Sequence, residues 1–261
     1  MIGDPVRHSL SPRLHNAAYA ALGLDRVYVA LEVPAGHGRA AVRSIVELGI
    51  DGLNVTMPHK EDAAAACDEL TPDAAALRSV NTVVRRPDGT LLGASTDGEG
   101  FLRSLGDAGL DPTDATVLVV GAGGAARAVV AALGRVGARV TVAARRADAA
   151  ATAAALAPGS RSTDLAAVPG ELGRTAIVVQ TTPVGMDGTS LPFDPAALGP
   201  DHAVCDLIYH PAATPLLVAA AARGARTVGG IGMLLHQAAL AFELHTGVPA
   251  PLDAMRAALE G

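Results

Sequence analysis

"VLVVGAGGAARAVVAALGRVGARVTVAARR", residues 117–146, runs an apolar strand into a glycine turn, then an apolar-periodic helix, then a second strand. Strand, helix and strand at this spacing make a βαβ unit, in which the helix carries the chain back so that the two strands lie parallel. Gly121, Gly123 and Ala126 stand in the G-x-G-x-x-[G/A] spacing directly after the first strand. The first glycine permits the tight turn, the second lets backbone approach a pyrophosphate, and the alanine lets helix and strand pack closely. Free N–H groups and positive potential at the helix start favour an anion there. The stretch points to a dinucleotide site with Gly121, Ala122, Gly123, Gly124 and Ala125 as candidate contacts; the alternative is a purely structural βα turn. Where the second strand ends, an NAD-preferring site normally offers Asp or Glu to the ribose 2′-hydroxyl. This chain offers Arg145 and Arg146, whose guanidinium groups suit the 2′-phosphate of NADP unless they are only solvated charges.

Upstream, strands and helices continue to alternate. "SPRLHNAAYAAL" carries a helical apolar face with Ser11 as expected N-cap and Pro12 at the first helical position. "VYVALEV" (27–33) reads as a strand, "GRAAVRSIVELG" as a helix ending at Gly49, and "GLNVT" as the next strand. "VNTVVRRPDGTLLGAST" breaks the rhythm, because its two β-rich runs flank the turn signal Pro87-Asp88-Gly89 and predict an antiparallel hairpin. Downstream, "AIVVQTT" (176–182), "AVCDLIY" (203–209) and "RTVG" near 226 are further strands, followed by the long apolar helix "IGMLLHQAALAFELHTG" and a short closing helix. The expected fold is α/β in two domains: residues 1–97 plus 230–261 as an α/β substrate domain with a mixed sheet, and 98–229 as a Rossmann-like parallel-sheet dinucleotide-binding domain.

The 261 residues are 50 % apolar but only 2 % aromatic, so Ala, Val and Leu must build the core. Net charge is −6 with no Lys/Arg block, which argues against a nucleic-acid partner. Cys67 and Cys205 lack the spacing of a disulfide framework or zinc site, and no His/Asp/Glu spacing suggests another metal. The opening "MIGDPVRHSLSP" does not read as a signal peptide, and no run of 18 apolar residues lacks a charge or breaker. A cytoplasmic protein with a small-molecule substrate is expected, without a membrane partner, as a monomer or homodimer.

Polar side chains cluster where elements of the first domain end: Ser9 and Ser11 in "HSLSP", Asn54, Thr56 and Lys60 in "NVTMPHK", Asn81 in "VNT" and Asp97 in "STDG". Hydroxyls, amides, one ammonium and one carboxylate suit a small oxygenated acid, with Lys60 and Asp97 sharing the proton transfer. Taken singly, Ser11 also reads as a helix cap, Asn81 as a turn residue and Asp97 as the cap of a helix from Gly98. His59 is the alternative acid; it ranks below Lys60 because neighbours at a strand end point apart. His8 and His15 lie near these motifs with no role assigned.

Together with the glycine turn, these segments resemble the shikimate dehydrogenase family over nearly the whole chain: "GDPVRHSLSPRLHN", "GLNVTMPHK", "VNTVV", "GASTDGEGF", "VGAGGAARA", "TTPVGM", "CDLIYHPAATPLL" and "GGIGMLLHQAALAFELHTG" recur in family order and spacing. The resemblance implies an α/β substrate domain, a Rossmann-like NADP domain, and interconversion of 3-dehydroshikimate and shikimate in aromatic amino-acid biosynthesis. It further implies that Ser9 and Ser11 hold the substrate carboxylate with Tyr209 beside it, and that Thr56, Lys60, Asn81, Asp97 and Gln237 meet the ring hydroxyls. Asn54 is expected to support the site, and Gly230 to join the cofactor contacts. Arg145 carries over from the family's cofactor segment, while Arg146 is inferred from its charge. Two departures stand out: only Met1–Gly3 remain for the first strand up to the glycine of "GDP", where the family has a longer one, and Ala149 stands where the family often has a further basic residue. The alternatives are an NAD-preferring quinate/shikimate dehydrogenase and a non-catalytic ligand-binding regulator of the same fold.

Overall fold

Short apolar runs punctuated by glycine and proline give the first hundred residues brief strands and helices that cover them. The computed structural model describes residues 1–260. The order is β1 (Ile2–Gly3), α1 (Ser11–Ala21), β2 (Leu31–Glu32), α2 (Gly38–Glu47), β3 (Gly52–Asn54), α3 (Lys60–Ala66), β4 (Glu69–Leu70), α4 (Pro72–Leu77), β5 (Thr82–Arg85), β6 (Leu91–Ala94) and α5 (Asp97–Asp107). Strands β3, β5, β6 and β4 lie side by side in that order, antiparallel except for the parallel pair β4–β6. β1 pairs in parallel with β2, and a single bridge from Ile2 to Val55 links it to the chain just beyond β3. Leu53, Val83 and Leu91 of this sheet bury against Val42 and Ile45 of α2 and Ala63 and Ala66 of α3. Because the β1 segment bonds to Val29, Leu31 and Val33 opposite it, the backbone of Tyr28 faces away. The Asn16 side chain of α1 brackets that backbone, accepting from Tyr28 N at 2.8 Å and donating to Tyr28 O at 2.9 Å.

The remaining elements are β7 (Thr116–Val120), α6 (Gly124–Arg135), β8 (Arg139–Ala144), α7 (Ala147–Ala154), β9 (Arg161–Asp164), α8 (Val168–Leu172), β10 (Ile177–Gln180), β11 (Ala203–Asp206), α9 (Pro215–Ala221), β12 (Arg226–Val228), α10 (Ile231–Thr246) and α11 (Leu252–Glu260). Six strands form one all-parallel sheet in the order β12-β11-β10-β7-β8-β9. Val117 and Val119 of β7 bury against α6 and α7, while Leu118 and Val120 bury against α8 and α9. Cover on both faces is why this strand reads as an unbroken apolar run. The sheet is the doubly wound Rossmann type, and the chain is α/β with a mixed four-stranded sheet, a parallel six-stranded sheet and the short parallel pair β1–β2.

Two compact units divide the chain, Met1–Gly100 with the residues from Leu235 onward, and Phe101–Leu234. The divisions fall inside α5 and α10, a little beyond the expected 97/98 and 229/230. Expectations about individual elements need correcting. The strand expected over 27–33 is regular only at Leu31–Glu32, because its partner β1 is two residues long. The helix expected to end at Gly49 ends at Glu47, with Gly49 in the left-handed region just beyond. Ser11 is the first residue of α1 rather than its cap, and its N–H is met by Ser9 Oγ at 3.2 Å. Asp97 is likewise the first residue of α5. No helix among the described residues is long and apolar enough to cross a membrane.

Candidate active site

The segment "NVTMPHK" does not end as a bare strand. After Val55 the chain turns through the cis Met57–Pro58 bond, His59 N–H donates to Thr56 O at 3.0 Å, and Lys60 becomes the first residue of α3. An ammonium at a helix N-terminus meets the positive end of the peptide dipoles and is disfavoured there unless compensated. Compensation comes from Asp97, at the N-terminus of α5, where a carboxylate is favoured. Lys60 Nζ donates to Asp97 Oδ2 at 2.5 Å, and the two side chains are only 17 % and 10 % exposed.

Around this pair the polar groups converge. Asn81 Nδ2 donates to Asp97 Oδ1 at 2.8 Å and to Thr96 Oγ1 at 2.9 Å, and lies 3.5 Å from Gln237 Oε1. Thr96 Oγ1 in turn donates to the Gln237 carbonyl at 3.0 Å, tying the β6–α5 junction to α10. Gly100 makes that approach possible, since a methyl there would lie 2.7 Å from Gln237 N and 2.8 Å from its Cβ. Lys60, Asn81, Asp97 and Gln237 thus belong to one hydrogen-bonded group. Ser9 and Ser11 form a separate corner joined by the bond already given, and the Thr56 side chain packs directly on Gly3. His59 is fully buried with Nε2 2.7 Å from Val33 O; a carbonyl only accepts, so that nitrogen carries the proton and the ring is a brace, not an exposed acid.

In the other unit, Gly121 closes β7 with a φ of 120°, and a side chain there would run into Thr181 just past β10. A methyl on Gly123 would meet nothing within 4 Å, so the turn is open above the start of α6, while Ala126 is fully buried. The turn sits where the sheet order reverses between β7 and β10, the place where α/β folds bind ligands. Arg145 and Arg146 lie exposed beyond β8, and neither side chain is held by a hydrogen bond or ion pair among the described residues. Open backbone donors at a helix start and two uncommitted guanidinium groups fit a dinucleotide carrying a 2′-phosphate. Gly230 has a different reason to be glycine: a side chain would strike the Leu207 backbone, and Gly230 N donates to Ile208 O at 3.2 Å. Tyr209 is half-buried in the loop after β11, which buried Asp206 anchors by accepting from Thr214 Oγ1 at 2.7 Å and Ile208 N at 3.1 Å. Burial pushes the Asp206 carboxyl above the usual carboxylate range, against those two bonds.

Residues 1–83 match the shikimate dehydrogenase substrate binding domain, and residues 230–260 match the shikimate 5'-dehydrogenase C-terminal domain. The shikimate dehydrogenase (NADP(+)) of Rubrobacter xylanophilus is 44 % identical over 268 residues, covering 100 % of this chain and 94 % of that protein. The chain belongs to the shikimate dehydrogenase family. Among solved family structures, the Thermus thermophilus shikimate 5-dehydrogenase in complex with NADP(H) and shikimate superimposes with a TM-score of 0.90 at 35 % identity, covering 99 % of this chain and 97 % of that one. The quinate dehydrogenase of Corynebacterium glutamicum in complex with NAD gives 0.91 at 32 % identity, covering 99 % and 96 %.

Sequence reasoning missed the buried polar residues behind the group. Thr82, Thr96 and Tyr28 are all buried, and each hydrogen-bonds to a residue of the cluster or to Asn54 beside it. Their only sequence signal is a polar atom inside runs that otherwise read as strand or strand end. Among the described residues no group of three or more His, Cys, Asp or Glu could hold a metal ion.

Proposed function

We propose that this protein is an NADP-dependent shikimate dehydrogenase, catalysing the reversible reduction of 3-dehydroshikimate to shikimate in aromatic amino-acid biosynthesis. The observation that carries this reading is the Lys60–Asp97 contact at 2.5 Å, in a chain 44 % identical to a shikimate dehydrogenase (NADP(+)) over its whole length. NADPH, when bound, supplies the hydride. Gly121 to Ala125 receive its pyrophosphate at the start of α6, with Gly230 bordering that site, and Arg145 and Arg146 take the 2′-phosphate. No Asp or Glu occupies the end of β8, which supports NADP over NAD. Residues 1–97 with 230–261 serve as the substrate domain and 98–229 as the cofactor domain.

Ser9 and Ser11 bind the substrate carboxylate, and Tyr209 is a further substrate-binding residue. Thr56, Lys60, Asn81, Asp97 and Gln237 bind the ring hydroxyls. Reduction of the ring carbonyl leaves negative charge on oxygen, and Lys60 Nζ neutralises it and delivers the proton. In the reverse direction the Lys60–Asp97 pair takes the proton from the ring hydroxyl, so acid and base are one coupled unit. The protein works in the cytoplasm as a monomer or homodimer on a small-molecule substrate. Initial rates for shikimate and quinate, each with NADP⁺ and NAD⁺, test the reading: the highest kcat/KM is expected for shikimate with NADP⁺. Equal values for the two acids, or a preference for NAD⁺, would overturn it.

A further inference from the structure

Hydrogen bonds inside the substrate unit have a direction that can be read from their ends. Asn54 Nδ2 donates to the Asn81 backbone carbonyl at 3.2 Å, and a carbonyl can only accept, so the Asn54 amide has one permitted orientation. Its Oδ1 then receives the Tyr28 hydroxyl at 2.8 Å, and its Nδ2 also reaches Thr82 Oγ1 at 3.1 Å. Thr82 Oγ1, already accepting from Asn54, has its own proton free for Asn81 Oδ1 at 3.0 Å. The same Asn81 oxygen accepts from Thr96 N at 2.9 Å. With Oδ1 receiving two donors, Asn81 Nδ2 must face Asp97 Oδ1 and Thr96 Oγ1. Every member of this chain is buried, and Thr82 completely so.

We propose that Thr82 is a positioning residue for the acid/base pair: its hydroxyl, oriented by Asn54 and Tyr28, fixes the Asn81 carboxamide so that it donates to Asp97 Oδ1 and leaves Oδ2 to Lys60. The two carboxylate oxygens are thereby made unequal. Oδ1 is occupied by a neutral donor that never gives up its proton, and Oδ2, 2.5 Å from Lys60 Nζ, is the one that exchanges protons with the ammonium. Without the Thr82 hydroxyl the Asn81 oxygen keeps only Thr96 N, the Asn54 amide loses an acceptor, and the carboxamide is freer to tilt away from Asp97. A valine side chain has nearly the same shape as threonine, so the hydroxyl is removed with little change of volume. The inference rests on the proposed dehydrogenase activity and deepens it by naming a residue that touches neither substrate nor cofactor.

The test is steady-state oxidation of shikimate with NADP⁺ by the wild-type protein, Thr82→Val, Thr82→Ser and Thr82→Ala, and by Thr82→Val combined with Asp97→Asn. Thr82→Val is expected to lower kcat roughly tenfold, the scale of one buried hydrogen bond, with KM for NADP⁺ unchanged. Thr82→Ser, which retains the hydroxyl, restores most of the rate. In the Asp97→Asn background the valine substitution adds little further loss, since the group it positions is no longer a carboxylate. If Thr82→Val does not fold, Thr82→Ala removes the same hydroxyl and carries the comparison with Thr82→Ser. A wild-type protein that does not oxidise shikimate overturns the functional reading and this proposal with it. A wild-type protein that does, with the hydroxyl-free variants unimpaired, with serine no better than valine, or with the full loss persisting beside Asp97→Asn, overturns this proposal alone.

Discussion

An ammonium and a carboxylate lie 2.5 Å apart at the starts of two helices, with the lysine set against the dipole of its own helix, and in the proposed mechanism this pair exchanges the proton. Lys60→Ala is expected to lower kcat by roughly 10²–10⁴, the usual contribution of general acid/base catalysis, with a smaller change in substrate KM. Near-normal turnover by a folded Lys60→Ala protein removes it from the mechanism. At the cofactor turn, Arg145→Ala should cost roughly 10- to 150-fold in kcat/KM for NADPH and little for NADH, which lacks the phosphate. Arg146→Ala should cost less, and unchanged NADPH/NADH ratios in both variants would make these arginines mere surface charges. Polar residues at element ends, such as Lys60 and Asp97, were legible in the sequence because a polar side chain there breaks an apolar pattern. Thr82 and Tyr28 were not, since both are good strand formers and Asn54, which bonds to each, is brought to them by tertiary folding.

Elements were most legible where they were longest. The βαβ unit from β7 to β8 was readable because its strands are buried on both faces and its glycines sit at fixed positions. In the substrate unit several strands are only two or three residues long, too short for any period to show, and β4 and α4 gave no signal that rose above the alanine-rich background. The reading of Lys60 as a strand-end residue failed for the same reason: four residues of turn separate Val55 from α3, and nothing in "TMPH" announces where the helix begins. Contact between helices rests on single small residues. Gly100→Ala should push Gln237 and α10 away from α5, lowering stability by about 1–3 kcal/mol, the usual cost of overpacking. It should also reduce kcat through the displaced Gln237 side chain; a variant with wild-type melting temperature and rate would show that α10 shifts freely.

Taken as a whole, the chain was read correctly as α/β with a mixed sheet and a Rossmann-like parallel sheet, because strand and helix signals alternate along most of its length and the β5–β6 hairpin announces itself at Pro87-Asp88-Gly89. Charge burial at this scale was invisible. His15 and His245 are held neutral in the fold: burial, followed by the proximity of His245, lowers His15 to about 3, and burial lowers His245 to about 4. In the unfolded chain both titrate near 6.5. Below that pH the unfolded state binds protons the folded state refuses, so stability falls with pH until about 4 and then about 3. Each ring contributes up to about 1.4 kcal/mol per pH unit in its window. Urea midpoints should drop steadily between pH 7 and pH 5, with a shallower fall in His15→Phe; a flat profile in the wild type would refute the sign. The Asn16 bracket on Tyr28 has a consequence for the protein in concentrated solution. Val27, Val29 and Leu31 are 78 %, 51 % and 47 % exposed, on a segment whose outward backbone could recruit a strand from another molecule. By occupying both polar groups of Tyr28, Asn16 cuts that stretch to a length at which intermolecular pairing gains too few bonds to persist. Asn16→Ala should therefore scatter light increasingly with concentration where the wild type does not, because the Tyr28 backbone is then left open to pair with another molecule.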